Sequence, residues 1–127
     1  MGFKPRRAAS DDFQEVFLRL RSILAKHSSD LSVKHDTDAD YYVESTKQFR
    51  GRELFFGGVR KGKAYVSYHL FPVYMMPALL SSASPELRAR MQGKSCFNFT
   101  RVDDSLLDEL ATLTRRGFDA LRDRDLV

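Results

Sequence analysis

The chain of 127 residues has one cysteine, Cys96, and no tryptophan. A lone cysteine cannot close an internal disulfide, and it excludes a four-cysteine metal site within one chain. No apolar stretch approaches a membrane span; the longest apolar region, Leu70 to Leu80, is interrupted by Pro72 and Pro77. Lys4, Arg6 and Arg7 are followed by no apolar h-region, so the N-terminus does not read as a signal peptide and a cytoplasmic location is expected. Internal repeats, low-complexity segments and linkers are absent. Cys96 is surrounded by neither a Gly-rich fingerprint nor a nucleophile elbow, so no cofactor is implied.

What is there is an ordinary globular mix, 43% hydrophobic and 30% charged. The length fits one domain able to bury roughly two-thirds of its unfolded surface. Ten Phe and five Tyr point to an aromatic-rich core. The net charge of +4 permits weak attraction to anions. The basic residues are scattered, however, and no block of like charge forms. They read as a solvated surface rather than a nucleic-acid footprint.

Residues 1–9 read as a flexible lead-in, 10–122 as a single domain and 123–127 as a frayed tail. Phe13, Val16, Phe17, Leu20, Ile23 and Leu24 recur at helical spacing, predicting a helix over about 11 to 27 with Asp12 or Ser10 as cap. Leu31 to Val33 and Tyr41 to Ser45 read as short strands around a polar turn, and Lys47 to Arg52 as a basic loop. Glu53 to Arg60 and Lys63 to Phe71 read as a hairpin about Lys61-Gly62, with Gly57 opposite Val66. Ser84-Pro85-Glu86 opens a short helix ended by Gly93. Cys96 to Thr100 is a last strand, and Asp103 or Asp104 caps a closing helix with Leu106, Leu110, Leu113, Phe118 and Leu121 near one face. The expected fold is α+β: an antiparallel sheet of about five short strands with N- and C-terminal helices packed on one face.

Tyr65-Val66-Ser67-Tyr68-His69-Leu70, a helical insert, Gly93-Lys94-Ser95-Cys96-Phe97-Asn98-Phe99 and a capped amphipathic helix follow in order. Over roughly the last 70 to 80 residues this order resembles the YdhG-like family of uncharacterised bacterial domains. The resemblance implies an α+β fold and brings no catalytic motif. Some family members carry a frataxin-like iron-chaperone label, which implies an iron carrier as one alternative.

Three constellations could carry function. Tyr65, Ser67 and His69 make one hairpin face too polar for a dry core, suited to a groove for a small polar or anionic ligand. Lys94, Asn98 and Arg101 around the last strand, with Arg60, Lys61 and Lys63, would supply an anion-binding rim. The competing readings are a half-exposed outer face and a basic edge that discourages aggregation. Asp36, Asp38 and Asp40 share the spacing of the first EF-hand ligands. Tyr41 and Lys47 stand where that loop needs glycine and glutamate, so only a weak hard-cation patch with Glu44 remains, the one an iron carrier would use. Cys96 with His69 is a third pairing, for nucleophilic chemistry, but no orienting carboxylate is evident. Phe71 to Leu80, rich in Met and aromatics, reads as a core cap or as a homodimer contact. The reading that emerges is a non-enzymatic binding domain, with the metal carrier and a small Cys/His enzyme as alternatives.

Overall fold

The computed structural model describes residues 9–127. Residues 1–8, most of the expected lead-in, and the side chain of Ser10 lie outside the described residues. Helix α1 (Ala9–Ala25) is followed by strands β1 (Leu31–Asp36), β2 (Asp40–Phe49), β3 (Arg52–Lys61) and β4 (Val66–Leu70). Then come α2 (Phe71–Met75), a 3-10 segment (Pro77–Ser82), α3 (Pro85–Arg88), β5 (Cys96–Phe99) and α4 (Asp104–Asp123). The strands form one antiparallel meander in the order β1-β2-β3-β4-β5. The α+β fold is therefore an open five-stranded sheet with flanking helices. Among the described residues no helix is long and apolar enough to cross a membrane.

The two long helices cover one face of the sheet. Every apolar position of the two helical stripes is buried, from Phe13 to Leu24 in α1 and from Leu106 to Leu121 in α4. They pack against Tyr41, Val43, Phe56, Val59, Val66, Tyr68, Leu70, Phe97 and Phe99, all buried. The hydroxyl of buried Tyr68 is hydrogen-bonded to Thr114 of α4, so neither polar group is orphaned. Asp103 caps α4, its carboxylate accepting from the Leu106 amide at 3.2 Å. Asp12 lies inside α1, which begins before it.

Three expectations need correction. The basic loop is only two residues long, because Arg50 and Gly51 both take positive φ (55° and 86°), the geometry that closes a tight hairpin. The β3–β4 connection spans residues 62–65, and Gly57 faces Leu70 instead of Val66. That shift of four residues is even, so β4 keeps the faces the sequence assigned to it. On β3 an irregularity against Val43 and Glu44 turns both Phe56 and Gly57 toward the helices and leaves Phe55 on the opposite face. The ending after Asp123 is docked rather than frayed. Asp125 takes φ 60°, the Leu126 amide donates to Leu121 at 2.8 Å, and buried Ser45 donates its hydroxyl to the Leu126 carbonyl.

The segment from Phe71 to Leu80 spends most of its apolar surface on its own fold. Pro72 and Val73 are buried, and Met75, Met76, Leu79 and Leu80 lie half-buried against the core. Pro72 seats on α4 at Gly117, where an added Cβ would come within 2.9 Å of the Pro72 Cβ. Neither the proline ring nor a helix backbone can retreat cheaply. Gly117→Val should therefore cost about 1–3 kcal/mol by overpacking, since the helix-propensity gain over glycine is under about 1 kcal/mol. Urea denaturation measures it; a variant as stable as the parent would contradict this packing.

His27 sits where α1 meets α4, stacked on Phe118 with ring centroids 4.9 Å apart. Burial pushes its pKa below the usual 6.5, a shift opposed by Asp119 and Asp30 and reinforced by Lys26 and Arg115. The folded state thus prefers the neutral ring. Its contribution to stability is complete above pH 6.5 and is lost as pH falls from there toward the lower folded value. His27→Gln should flatten the stability-versus-pH slope between about pH 7 and pH 5.5. Urea midpoints across that range check it, and an unchanged slope would contradict the assignment.

Candidate ligand-binding site

The face of the sheet away from the helices is built in cross-strand rows. In one row Asp40, Arg60, Ser67 and Asn98 stand side by side on β2 to β5. In the next stand Tyr42, Gly58, His69 and Cys96. His35 of β1 pairs with Tyr42 at the near edge. These rows enclose a groove of about 390 Å³ lined by His35, Asp40, Tyr42, Phe55, Gly58, Arg60, Ser67 and His69. Its size falls in the range of small-molecule sites.

One wall is aromatic. Tyr42 stacks on Phe55 with centroids 4.7 Å apart, His35 lies 5.3 Å from Tyr42, and Phe71 lies 6.2 Å from Phe55 before stacking on Tyr74. The floor is Gly58. A Cβ there would stand 3.2 Å from the Tyr41 carbonyl oxygen, 3.6 Å from Tyr42 and 3.7 Å from Phe55. The expected hairpin, with Gly57 opposite Val66, would set Tyr65 opposite this glycine; Tyr42 and Phe55 lie over it instead.

The polar groups differ in how far they are committed. Asp40 accepts from or pairs with His35 Nδ1 at 3.0 Å. Ser67 donates to Asn98 Oδ1 at 3.1 Å, and the Asn98 amide nitrogen donates to Gln92 at 2.7 Å. His69 and Arg60 make no side-chain hydrogen bond or ion pair among the described residues. Desolvation pushes the His69 pKa down, which favours a neutral ring with one donor and one acceptor nitrogen.

Of the ligand residues expected from sequence, Ser67 and His69 line the groove and Asn98 flanks it through Ser67. Tyr65 lies in the turn before β4, exposed and outside the lining. Lys94 borders a separate shallow hollow with Val73, Tyr74 and Met91, and Arg101 is exposed beyond β5. The expected basic rim also divides: Arg60 reaches the groove, whereas Lys61 faces α1 and donates to Gln14. Tyr42, Phe55, Gly58 and His35 were missed as ligand residues. Only the Gly57-Gly58 pair signalled them, as a place where a ring or a ligand comes close to the backbone.

The acidic patch is not assembled as a metal site. Asp36 holds Arg21 at 2.8 Å, Asp40 holds His35, Asp38 is exposed in the turn, and Glu44 lies beside Tyr42 and Glu53. Among the described residues no group of three or more His, Cys, Asp or Glu could hold a metal ion. Cys96 is in register with His69, but its thiol lies 3.5 Å from Asn98 Oδ1 and burial raises its pKa. That environment favours the thiol over the thiolate a nucleophile requires.

A second hollow of about 430 Å³ lies between Ser82, Leu87 and α4. Two of its polar groups are engaged within the fold: Glu109 accepts from the Ser84 amide and hydroxyl at 2.9 and 2.7 Å, and Arg116 bonds Ser82; Asp108 and Thr112 also line it. No family model, curated protein or solved structure matches the chain.

Proposed function

We propose that this protein is a non-enzymatic binding domain that takes a small polar or anionic ligand in the groove on the open face of its sheet. The observation that carries the reading is that His69 and Arg60, both exposed and without a side-chain partner among the described residues, line one groove together with Asp40, Ser67 and the stacked Tyr42 and Phe55 rings. Exposed polar groups that converge on one concavity are available to a ligand that displaces their water. Catalysis has less support. The Cys96 thiol is held protonated, and no carboxylate orients His69 among the described residues. Membership of the YdhG-like family belongs to the same proposal and leaves the ligand open.

A thermal-shift screen of small polar and anionic compounds tests this reading. A stabilising hit should lose its shift with His69→Ala and with Arg60→Gln, and keep it with Arg116→Ala, which alters the α4 hollow. A hit that survives both groove variants and disappears with Arg116→Ala would place binding elsewhere and overturn the assignment.

A further inference from the structure

The groove on the open face is lined by a carboxylate and a guanidinium that do not pair with each other. Asp40 on β2 and Arg60 on β3 are direct register partners, and both line it. Opposite charges set directly across two antiparallel strands ordinarily attract one another into contact. Here no hydrogen bond or ion pair joins them among the described residues. His35, one strand further out, takes Asp40 instead, its Nδ1 lying 3.0 Å from Oδ2. A carboxylate has acceptor sites on both oxygens, and Asp40 Oδ1 has no partner among the described residues. The Asp40 side chain is 40% exposed. Ser67, the partner of Arg60 on β4, turns its hydroxyl to Asn98. Arg60 is exposed and its guanidinium donates to no acceptor among the described residues.

This open pair decides what charge an occupant can carry. Binding strips water from both groups, and a desolvated charge needs a partner of opposite sign. A simple anion on Arg60 would stand beside the Asp40 carboxylate, and a simple cation on Asp40 beside the guanidinium, each against a like charge. A ligand with both a carboxylate and an ammonium meets both groups at once. The arginine fork matches the carboxylate, and the ammonium supplies the donors that Asp40 Oδ1 accepts. His69, held toward its neutral form, brings no further charge into the groove. The Tyr42 and Phe55 rings, stacked on each other over Gly58, form an apolar wall beside the pair.

We propose that the groove binds an amino acid as its zwitterion, with the carboxylate on Arg60, the ammonium on Asp40 and the side chain along the Tyr42–Phe55 wall. This rests on the binding reading above and narrows its ligand to one class.

Isothermal titration calorimetry with the standard L-amino acids tests it. Each is compared with its N-acetyl derivative, which lacks the ammonium, and its carboxamide, which lacks the carboxylate. At least one amino acid should bind about tenfold or more tightly than both of its derivatives. Asp40→Asn keeps the size of the side chain and should weaken that amino acid about tenfold while leaving the N-acetyl derivative unchanged. Arg60→Gln should weaken it by a similar factor while leaving the carboxamide unchanged. An N-acetyl derivative that binds as tightly as its amino acid makes the groove an anion site and overturns the zwitterion. A carboxamide that binds as tightly overturns it from the other side. So does a panel in which no amino acid binds, when the thermal-shift screen yields another polar hit lost with His69→Ala; the groove then remains a site. A screen with no hit, or whose hits all survive the groove variants, fails both proposals together.

Discussion

Two adjacent glycines at the centre of the sheet set what each face can do. Gly57 faces the helices, and a Cβ there would meet the His69 carbonyl oxygen and a Leu24 methyl, each at 2.9 Å. Its missing side chain is what lets α1 sit close to β3. Gly58 faces the other way, and the Tyr42 and Phe55 rings lie over it. Glycine weakens a strand interior, by about 0.5–1 kcal/mol relative to alanine. Placing two in the middle strand is sustained here because one lets the core close and the other lets the Tyr42 and Phe55 rings settle on the open face.

The two faces treat their polar groups in opposite ways. Beneath the helices Tyr68 meets Thr114, Ser45 meets Leu126, and no buried side-chain nitrogen or oxygen among the described residues lacks a partner. A dry core leaves no alternative, since an unpartnered polar group there costs about 1–3 kcal/mol. On the open face His69 and Arg60 can remain uncommitted because water satisfies them until something displaces it. In the α4 hollow, by comparison, Glu109 and Arg116 are engaged by Ser84 and Ser82.

The helices and the sheet order were legible because burial writes a period into the chain. The stripes of Phe13 to Leu24 and Leu106 to Leu121 name the covered face, and alternation along β4 separates Tyr68 from Ser67 and His69. The register was not legible, since Lys61-Gly62 offered a tight-turn signal that the longer 62–65 connection overrode. The side of Phe55 was hidden for a related reason. An irregularity against Val43 and Glu44 breaks the alternation that would have placed it. Ser67 and His69 were found because they follow the period; Tyr42 was missed because contacts between strands distant in sequence decide which ring covers a glycine. Lys94 and Arg101 were grouped with them by proximity to β5 alone, and the chain carries both away from the groove.

A backbone amide chemical-shift map of the protein with its best stabilising ligand tests the central claim most directly. The account predicts perturbations clustered at Tyr42, Gly58, Arg60 and His69, with α4 undisturbed. Perturbations centred on Ser82, Glu109 and Arg116, with the Gly58 amide unmoved, would contradict it.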